Sequence, residues 1–587
     1  PMAIFAFHSR KHRGDTLLPV NNVRAKRAAL VAEIVRSVSL LAFCMFAARG
    51  VPNPLDTTWF GEIYHYLRIN TFFSAPLIAV PGVALAIAGI VVAFKLRTTS
   101  LVVACVVAAY AIAGIFLAQF IGSGHPYHQS GHFSAVYYPV AAVEQGQVLL
   151  VDGDSQYGLY PHFLQPLFAQ TGLSVASFTF AMASLTAIGF VSIWISMLRS
   201  TRNPAIALLA FLACVFSGWF YFSTMGLAEA RTYFDRYYQY FPVRFIFPAI
   251  LLPLAWSYFT RPRHSVYWLT NAVMALGVLW NTDSGVAAWG AWTVGLCYAS
   301  LFRQSWSQRI RSALGNIAAN VASLVLAILL HVAIVYAARG VLPDYGRFLD
   351  YQRSFYGAGL AMLEMHVPDA WMVVMLVYLA GIARAAVAWN ADDRSPRYCM
   401  HLVAAVLGTG LFAYFQGRSH PQVLCVCSWP AFVSLTLFLA ELLARFSLGE
   451  SSWRLRFRPL PLTCTALIVW FLAGCSWSLV AQAELVQPPI NDGIQEFTAG
   501  SSGPYEAEIA LIRRNTRPND RLFALSTVDG PLLTESQCKP AFRTGLVQML
   551  RRQDFRQLFD ELAADSNINN YVPRHAFSRD SRDLLVQ

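Results

Sequence analysis

Charge is scarce in this chain. Only 13% of the 587 residues are Asp, Glu, Lys or Arg, while 56% are hydrophobic and 14% aromatic; soluble domains carry roughly 25% charged residues. That deficit excludes an ordinary water-soluble globule and points to the bilayer as solvent. Acids are fewer than bases, for a net charge of +12. The Lys and Arg residues are scattered through short loops between apolar runs, so no nucleic-acid surface is formed. No CxxC pair occurs among the ten cysteines, and Cys44, Cys105, Cys214, Cys297, Cys399, Cys464 and Cys475 lie in or beside apolar runs. A disulfide scaffold and a zinc cluster both lack support. Also missing are a Walker-type phosphate loop and a Rossmann fingerprint. No internal repeat is evident, which weakens a transporter built from two similar halves.

Long apolar runs, by contrast, recur. A hydrocarbon core about 30 Å thick takes around 20 mostly apolar residues per helical crossing. About thirteen runs qualify: 28 to 48, 72 to 94, 100 to 121, 174 to 197, 204 to 223, 241 to 259, 266 to 281, 285 to 302, 314 to 338, 370 to 389, 399 to 416, 422 to 446 and 461 to 482. The N-terminal bases Arg10, Lys11, Arg13, Arg24, Lys26 and Arg27 precede the first run with no convincing cleavage site, so that run reads as a retained anchor. Glu33 and Arg36 within it are the main charges inside a span, spaced as a local helix pair. With residues 1–27 cytoplasmic, every second connection is basic: Lys95 and Arg97, Arg199 and Arg202, Arg261 and Arg263, Arg303 with Arg309 and Arg311, Arg394 and Arg397, and Arg454 with Arg456 and Arg458. The positive-inside rule then puts the other loops and the C-terminus outside.

The expected fold is an all-α polytopic membrane protein with a small C-terminal α/β domain. Residues 28–482 form the transmembrane part, with a large outer loop at 122–173, and 483–587 form the extracytoplasmic domain. A helical pattern at Glu506 to Arg514, a strand-like run at Arg521 to Ser526 and an Asp529-Gly530 turn support that domain.

Outer loops hold most of the Asp, His and Tyr residues away from the inner face. The longest runs His125-Pro-Tyr-His128-Gln-Ser-Gly-His132, continues through Tyr137-Tyr138-Pro139 and Glu144-Gln-Gly146, and reaches Asp152-Gly-Asp154-Ser-Gln156-Tyr157-Gly158-Leu-Tyr160-Pro161. This progression after an apolar helix resembles the opening of GT-C superfamily glycosyltransferases, multi-spanning enzymes that use a lipid-phosphate-linked sugar. The resemblance covers residues 100 to 175 clearly, with weaker points at Trp280-Asn281-Thr282-Asp283-Ser284-Gly285 and Gly417-Arg418-Ser419-His420-Pro421. Relatives often carry an acid at the start of the loop, where this chain has Gly131-His132.

Glycosyl transfer needs a base for the acceptor hydroxyl and cationic donors for the departing phosphate. Asp152 is the first expectation for the base and Asp154 the second, with an Asp-Gly-Asp turn as the alternative role for both. Asp283, at the boundary between two spans, is the third, and capping the next helix is its other role. His132 could act as base or orient the acceptor. Arg418 and His420 are the leading donor-phosphate ligands, with Arg244 and Arg236 behind them; an interfacial anchor is the other role for Arg418. Tyr138, Gln156, Tyr157 and Asn281 are expected to contact substrate. The tyrosines around Arg236 also suit an aromatic belt. A divalent metal on His125, His128 and His132 is possible but unsupported, since a loop with Gly and Pro does not enforce convergence.

The resemblance thus implies an inverting enzyme in a bacterial cytoplasmic membrane. Its partners would be a polyprenyl-phosphate-linked sugar donor, an envelope glycan, glycolipid or protein acceptor, and the bilayer. The alternative is a transporter or flippase for a lipid-linked glycan. Topology is directly testable. A cysteine introduced at Ser501 should react with an impermeant thiol reagent from outside the cytoplasmic membrane; reaction only after that membrane is permeabilised would reverse the assignment.

Overall fold

The computed structural model describes residues 99–121, 126–201, 203–215, 237–357, 365, 370–419, 421–447, 506–526, 528–545 and a few positions between 556 and 571. The expected spans at 28 to 48, 72 to 94 and 461 to 482 lie outside the described residues, with Glu33 and Arg36.

Each of the other ten apolar runs holds a helix. In chain order these are α1 (Thr99–Ile121), then α4 (Val175–Thr201), α5 (Pro204–Val215), α6 (Ile246–Thr260), α7 (His264–Trp280), α8 (Thr282–Ser300), α9 (Trp306–Arg339), α11 (Ala370–Asn390), α12 (Pro396–Gly417) and α14 (Trp429–Ser447). Between α1 and α4 the long loop forms α2 (Pro126–Glu144) and α3 (Tyr160–Thr171). After α9 come α10 (Tyr345–Gln352) and a π turn at Arg353–Gly357, and α13 (Pro421–Cys427) precedes α14. By length and composition alone, α4, α9 and α12 are apolar enough to cross a membrane, and the others include shorter apolar segments.

Local chemistry sets these ends. Ser305 and Gln308 form a reciprocal capping box at the start of α9, and Gly340 closes it in the left-handed conformation. The run expected at 422 to 446 is divided at Ser428, because Pro430 has no N–H to continue the ladder and fits only in the first turn of α14. With 34 residues, α9 is about 51 Å long at 1.5 Å per residue, more than a hydrocarbon layer needs. Its end therefore reaches the loop layer, while Leu326, Leu329, Leu330 and Ile334 stay exposed as a lipid-facing surface.

Helices α8 and α12 pack through small residues. A methyl on Gly410 would press on Ala287, and one on Gly295 would press on Val403. The same core buries Trp292, whose Nε1 donates to Asn271 Oδ1 at 2.6 Å. Three charged or titratable residues also meet inside the spans. Arg384 Nε donates to Glu441 Oε2 at 2.7 Å, His401 Nε2 lies 3.0 Å from Glu441 Oε1, and Arg384 Nη2 donates to Tyr398 Oη at 2.8 Å. This corrects the view that Glu33 and Arg36 are the main charges within spans. Each of the three sits in a different apolar run, so the tie between α11, α12 and α14 is invisible until the helices pack.

The C-terminal residues form α15 (Glu506–Asn515), β1 (Arg521–Ala524), α16 (Asp529–Ser536), β2 (Lys539–Pro540) and β3 (Asn569–Tyr571). The sheet is parallel in the order β2-β1-β3, with Leu522 opposite Pro540 and Asn569. Its core is not self-contained. Tyr138 and Ala142 of α2 pack with Ile509, Ile512, Leu522, Leu532 and Leu533. The Ser134 hydroxyl donates to Asp529 Oδ1, and Tyr138 Oη donates to the Phe542 carbonyl at 3.1 Å. A methyl on Gly530 would strike Tyr137. The unit and the long loop therefore occupy one end of the bundle as a single packed layer.

The buried ion pair yields a stability test. Breaking such a pair by removing one partner leaves an uncompensated charge and costs about 3–5 kcal/mol, whereas replacing both partners is often nearly neutral. Glu441→Leu should thus lower the thermal midpoint in detergent strongly, and Arg384→Met combined with Glu441→Leu should recover most of the loss. An equally damaged double variant would show that packing, not charge, explains the single change.

Candidate functional site

The site is built on the turn between α7 and α8. Asn281 caps α8 by accepting the Ser284 N–H at 3.1 Å, and its Nδ2 donates to the Tyr157 carbonyl at 2.7 Å. A methyl on Gly285 would collide with the Gly277 carbonyl, so only glycine lets the two helices close this tightly. Gly158 has φ +107°, and a side chain there would drive into the Trp280 carbonyl. The long loop can therefore lie directly on the turn, with the Leu159 N–H bonded to the Leu279 carbonyl at 3.0 Å. These contacts put Tyr157 beside the first turn of α8, which carries Asp283.

Arg244 occupies the centre. It is 5% exposed, with its guanidinium carbon 4.8 Å from the Tyr157 ring centroid and 4.2 Å from that of Tyr414. Its Nη1 donates to the Gln239 carbonyl at 2.9 Å, and its Nε lies 3.8 Å from Asp283 Oδ2. Gln352 Nε2 donates to Asp283 Oδ1 at 3.3 Å, and Tyr356 faces the same carboxylate. Arg244, Asp283, Ser284, Tyr356, Leu411 and Tyr414 line a cleft of about 120 Å³. An acid, a cation and phenolic rings thus surround one small volume.

A hydrogen-bonded chain leads from this cleft to His132. The Tyr157 hydroxyl donates to Gln239 Oε1 at 2.7 Å, and Gln239 Nε2 lies 2.8 Å from His132 Nδ1. The His132 ring also packs on Tyr237, with centroids 4.7 Å apart. Burial, with a smaller contribution from the positive charge of Arg418, pushes the His132 imidazole down to about 4. Arg418 ends α12 and is exposed.

The sequence candidates thus divide. His132, Tyr157, Asn281, Asp283 and Arg244 come together, with Arg418 close enough to act on His132 and Tyr157 through its charge. Asp152 does not line the cleft. Its Oδ2 accepts the Val148 N–H at 3.0 Å and Arg339 Nε at 2.9 Å, so it staples the loop to the end of α9. Asp154 is bound to the C-terminal unit, its N–H donating to the Arg543 carbonyl at 3.0 Å and its Oδ2 3.9 Å from Arg543 Nε. Tyr138 is buried against that unit, and Gln156 is partly exposed in the turn before Tyr157. Arg236 and His420 lie outside the described residues. So does His125; among the described residues no group of three His, Cys, Asp or Glu is arranged for a metal.

Gln239, Gln352, Tyr356 and Tyr414 went unforeseen. Gln239 stands in a tyrosine-rich stretch that reads as an aromatic belt, and Tyr414 stands in an apolar run. Gln352 and Tyr356 have no local signal, because the end of α10 and the π turn bring them to Asp283 only in three dimensions. A second histidine chain lies nearby. The Leu149 N–H donates to His162 Nε2 at 3.1 Å, His162 Nδ1 lies 3.2 Å from His331 Nε2, and His331 Nδ1 lies 2.7 Å from Tyr345 Oη.

No family model and no curated protein matches the chain. Two solved structures overlap it in part. ArnT from Cupriavidus metallidurans, bound to undecaprenyl phosphate, is 13% identical with a TM-score of 0.43, over 78% of this chain and 90% of its own. The archaeal oligosaccharyltransferase AglB from Archaeoglobus fulgidus, in complex with an inhibitory peptide and a dolichol-phosphate, is 11% identical with a TM-score of 0.41, over 77% of this chain and 64% of its own. At these identities and scores, neither likeness defines what this chain does.

The histidine chain predicts an acid-sensitive fold. Burial, and next the neighbouring His331, lower the His162 imidazole from 6.5 to about 4. The unfolded chain then takes up a proton that the fold refuses, so stability is full above about pH 6.5 and falls as pH drops towards about 4. His162→Asn should make that fall shallower in thermal unfolding at a series of pH values. An unchanged slope would remove His162 as a source.

Proposed function

We propose that the chain is a membrane transferase acting at the loop-covered end of its helix bundle. More particularly, it is a GT-C type glycosyltransferase that takes a sugar from a polyprenyl-phosphate donor. The observation that carries this reading is the cleft in which Arg244 and Asp283 meet, with Arg244 packed on Tyr157 of the loop whose Gln156-Tyr157-Gly158 stretch resembles that superfamily. The topology proposed from the basic loops makes this end extracytoplasmic, in a bacterial cytoplasmic membrane, with the C-terminal unit on the same side.

In the proposed reaction an acceptor hydroxyl attacks the anomeric carbon, the bond from that carbon to the phosphate oxygen breaks, and the polyprenyl phosphate leaves. One displacement inverts the anomeric centre. Asp283 takes the hydroxyl proton. Arg244, already held between two aromatic faces, stabilises the charge growing on phosphate, and Arg418 adds a second cation at the rim. Tyr157, Tyr356 and Tyr414 supply flat apolar faces and phenolic groups for a sugar ring. The base thereby moves from Asp152 to Asp283. Asp152 and Asp154 are engaged by Arg339 and by the C-terminal unit, which supports a scaffolding role for both.

Transfer of labelled sugar from a polyprenyl-phosphate donor in membranes tests the assignment. Asp283→Asn should lower turnover by about 10² to 10⁴-fold with donor binding largely kept. Asp152→Asn should stay within a few-fold of the parent. Arg244→Lys and Arg418→Lys keep the charge but lose the planar fork, so donor affinity should fall in each. A dead Asp152→Asn beside an active Asp283→Asn would restore the first expectation. Full activity in every variant would overturn the site assignment, and no transfer by the parent protein would overturn the transferase reading.

A further inference from the structure

Gln239 touches three parts of the site at once. It is 3% exposed, its Oε1 accepts the Tyr157 hydroxyl at 2.7 Å, and its backbone carbonyl accepts Arg244 Nη1 at 2.9 Å. Its Nε2 faces His132 Nδ1 at 2.8 Å. With the amide oriented so that its oxygen accepts the Tyr157 hydroxyl, its nitrogen donates, and the imidazole nitrogen opposite accepts and carries no proton. In a neutral ring the proton then sits on Nε2.

We infer that Gln239 is a positioning residue that locks His132 in the tautomer protonated at Nε2, making this histidine a hydrogen-bond donor to substrate oxygen and not a base. The functional half rests on the glycosyl-transfer reading, whereas the tautomer follows from the orientation of the Gln239 amide. The groups facing His132 agree with a neutral ring. Tyr237 packs on its face, Gln239 holds Nδ1, and the cation of Arg418 acts from the end of α12. Beyond Gln239 stand Tyr157 and Arg244, so no carboxylate is among the described partners that could draw a proton onto the imidazole.

The chain of contacts also gives this residue a reason to be glutamine. One amide must accept from a phenol and donate to an imidazole in the same plane. Glutamate could do only the first, and would pull the histidine proton to Nδ1. Asparagine is one methylene shorter and cannot span both partners.

The test is nitrogen NMR of the full chain in nanodiscs, with ¹⁵N-labelled histidine and the His132 signals assigned by comparison with His132→Gln. The parent should show an unprotonated Nδ1 and a protonated Nε2, with no imidazolium down to about pH 5. In Gln239→Glu the two nitrogens should exchange roles, and imidazolium should appear between about pH 5 and 8, because the new carboxylate favours the charged ring. Sugar transfer by that variant should gain a pH-dependent limb over the same range. A proton on Nδ1 in the parent, the result of a reversed amide, would overturn the inference; so would nitrogens unmoved by Gln239→Glu. The parent spectrum decides even if the variant misfolds. It needs no turnover, so the tautomer can fail while the transferase reading stands, and the reverse.

Discussion

The loop-covered end of this protein is organised around one buried cation. A guanidinium withdrawn from water is tolerated only where dipoles, π faces and counter-charge replace its hydration. Arg244 finds these in the Tyr157 and Tyr414 rings, the Gln239 carbonyl and the Asp283 carboxylate. Each comes from a different stretch of chain. The arginine thus demands that the long loop, the segment before α6, the start of α8 and the end of α12 converge, and the glycines at 158 and 285 permit the approach. A cleft that sets a cation beside an acid is a direct outcome of that demand.

The bilayer and the loop layer solve different problems. Within the bundle, apolar burial and small-residue contacts set the helix arrangement, and Arg384, His401 and Glu441 tie three of its helices together. Outside it, hydrogen bonds and ion pairs do the ordering. Asp152 pins the loop to α9, Asp154 and Ser134 pin it to the C-terminal unit, and α2 lends Tyr138 and Ala142 to that unit's core. The C-terminal unit therefore shares its core with the long loop.

The division of labour among the acids follows from this layering. Asp152, Asp154 and Asp283 are equivalent on paper, since each is an acid in or beside an outer loop. Their surroundings separate them. Two are engaged by arginines that join structural layers, and the third faces the cleft beside an arginine already stacked on aromatic rings. Likewise the setting of His132, with an amide on Nδ1 and a cation nearby, suits a neutral ring.

The chain by itself determined the solvent, the helical runs, their alternating basic ends and the neighbourhood of the site, because hydropathy, charge sign and turn chemistry are local properties. It also brought His132, Tyr157, Asn281, Asp283, Arg244 and Arg418 into consideration through motif and position. It could not tell which of the three acids faces the cleft, divide the run at 422 to 446 into α13 and α14, or reveal Gln239, Gln352, Tyr356 and Tyr414 as neighbours of the cleft. Only tertiary structure decided those points, since which arginine meets which carboxylate depends on how distant helices pack and on which approach each glycine permits.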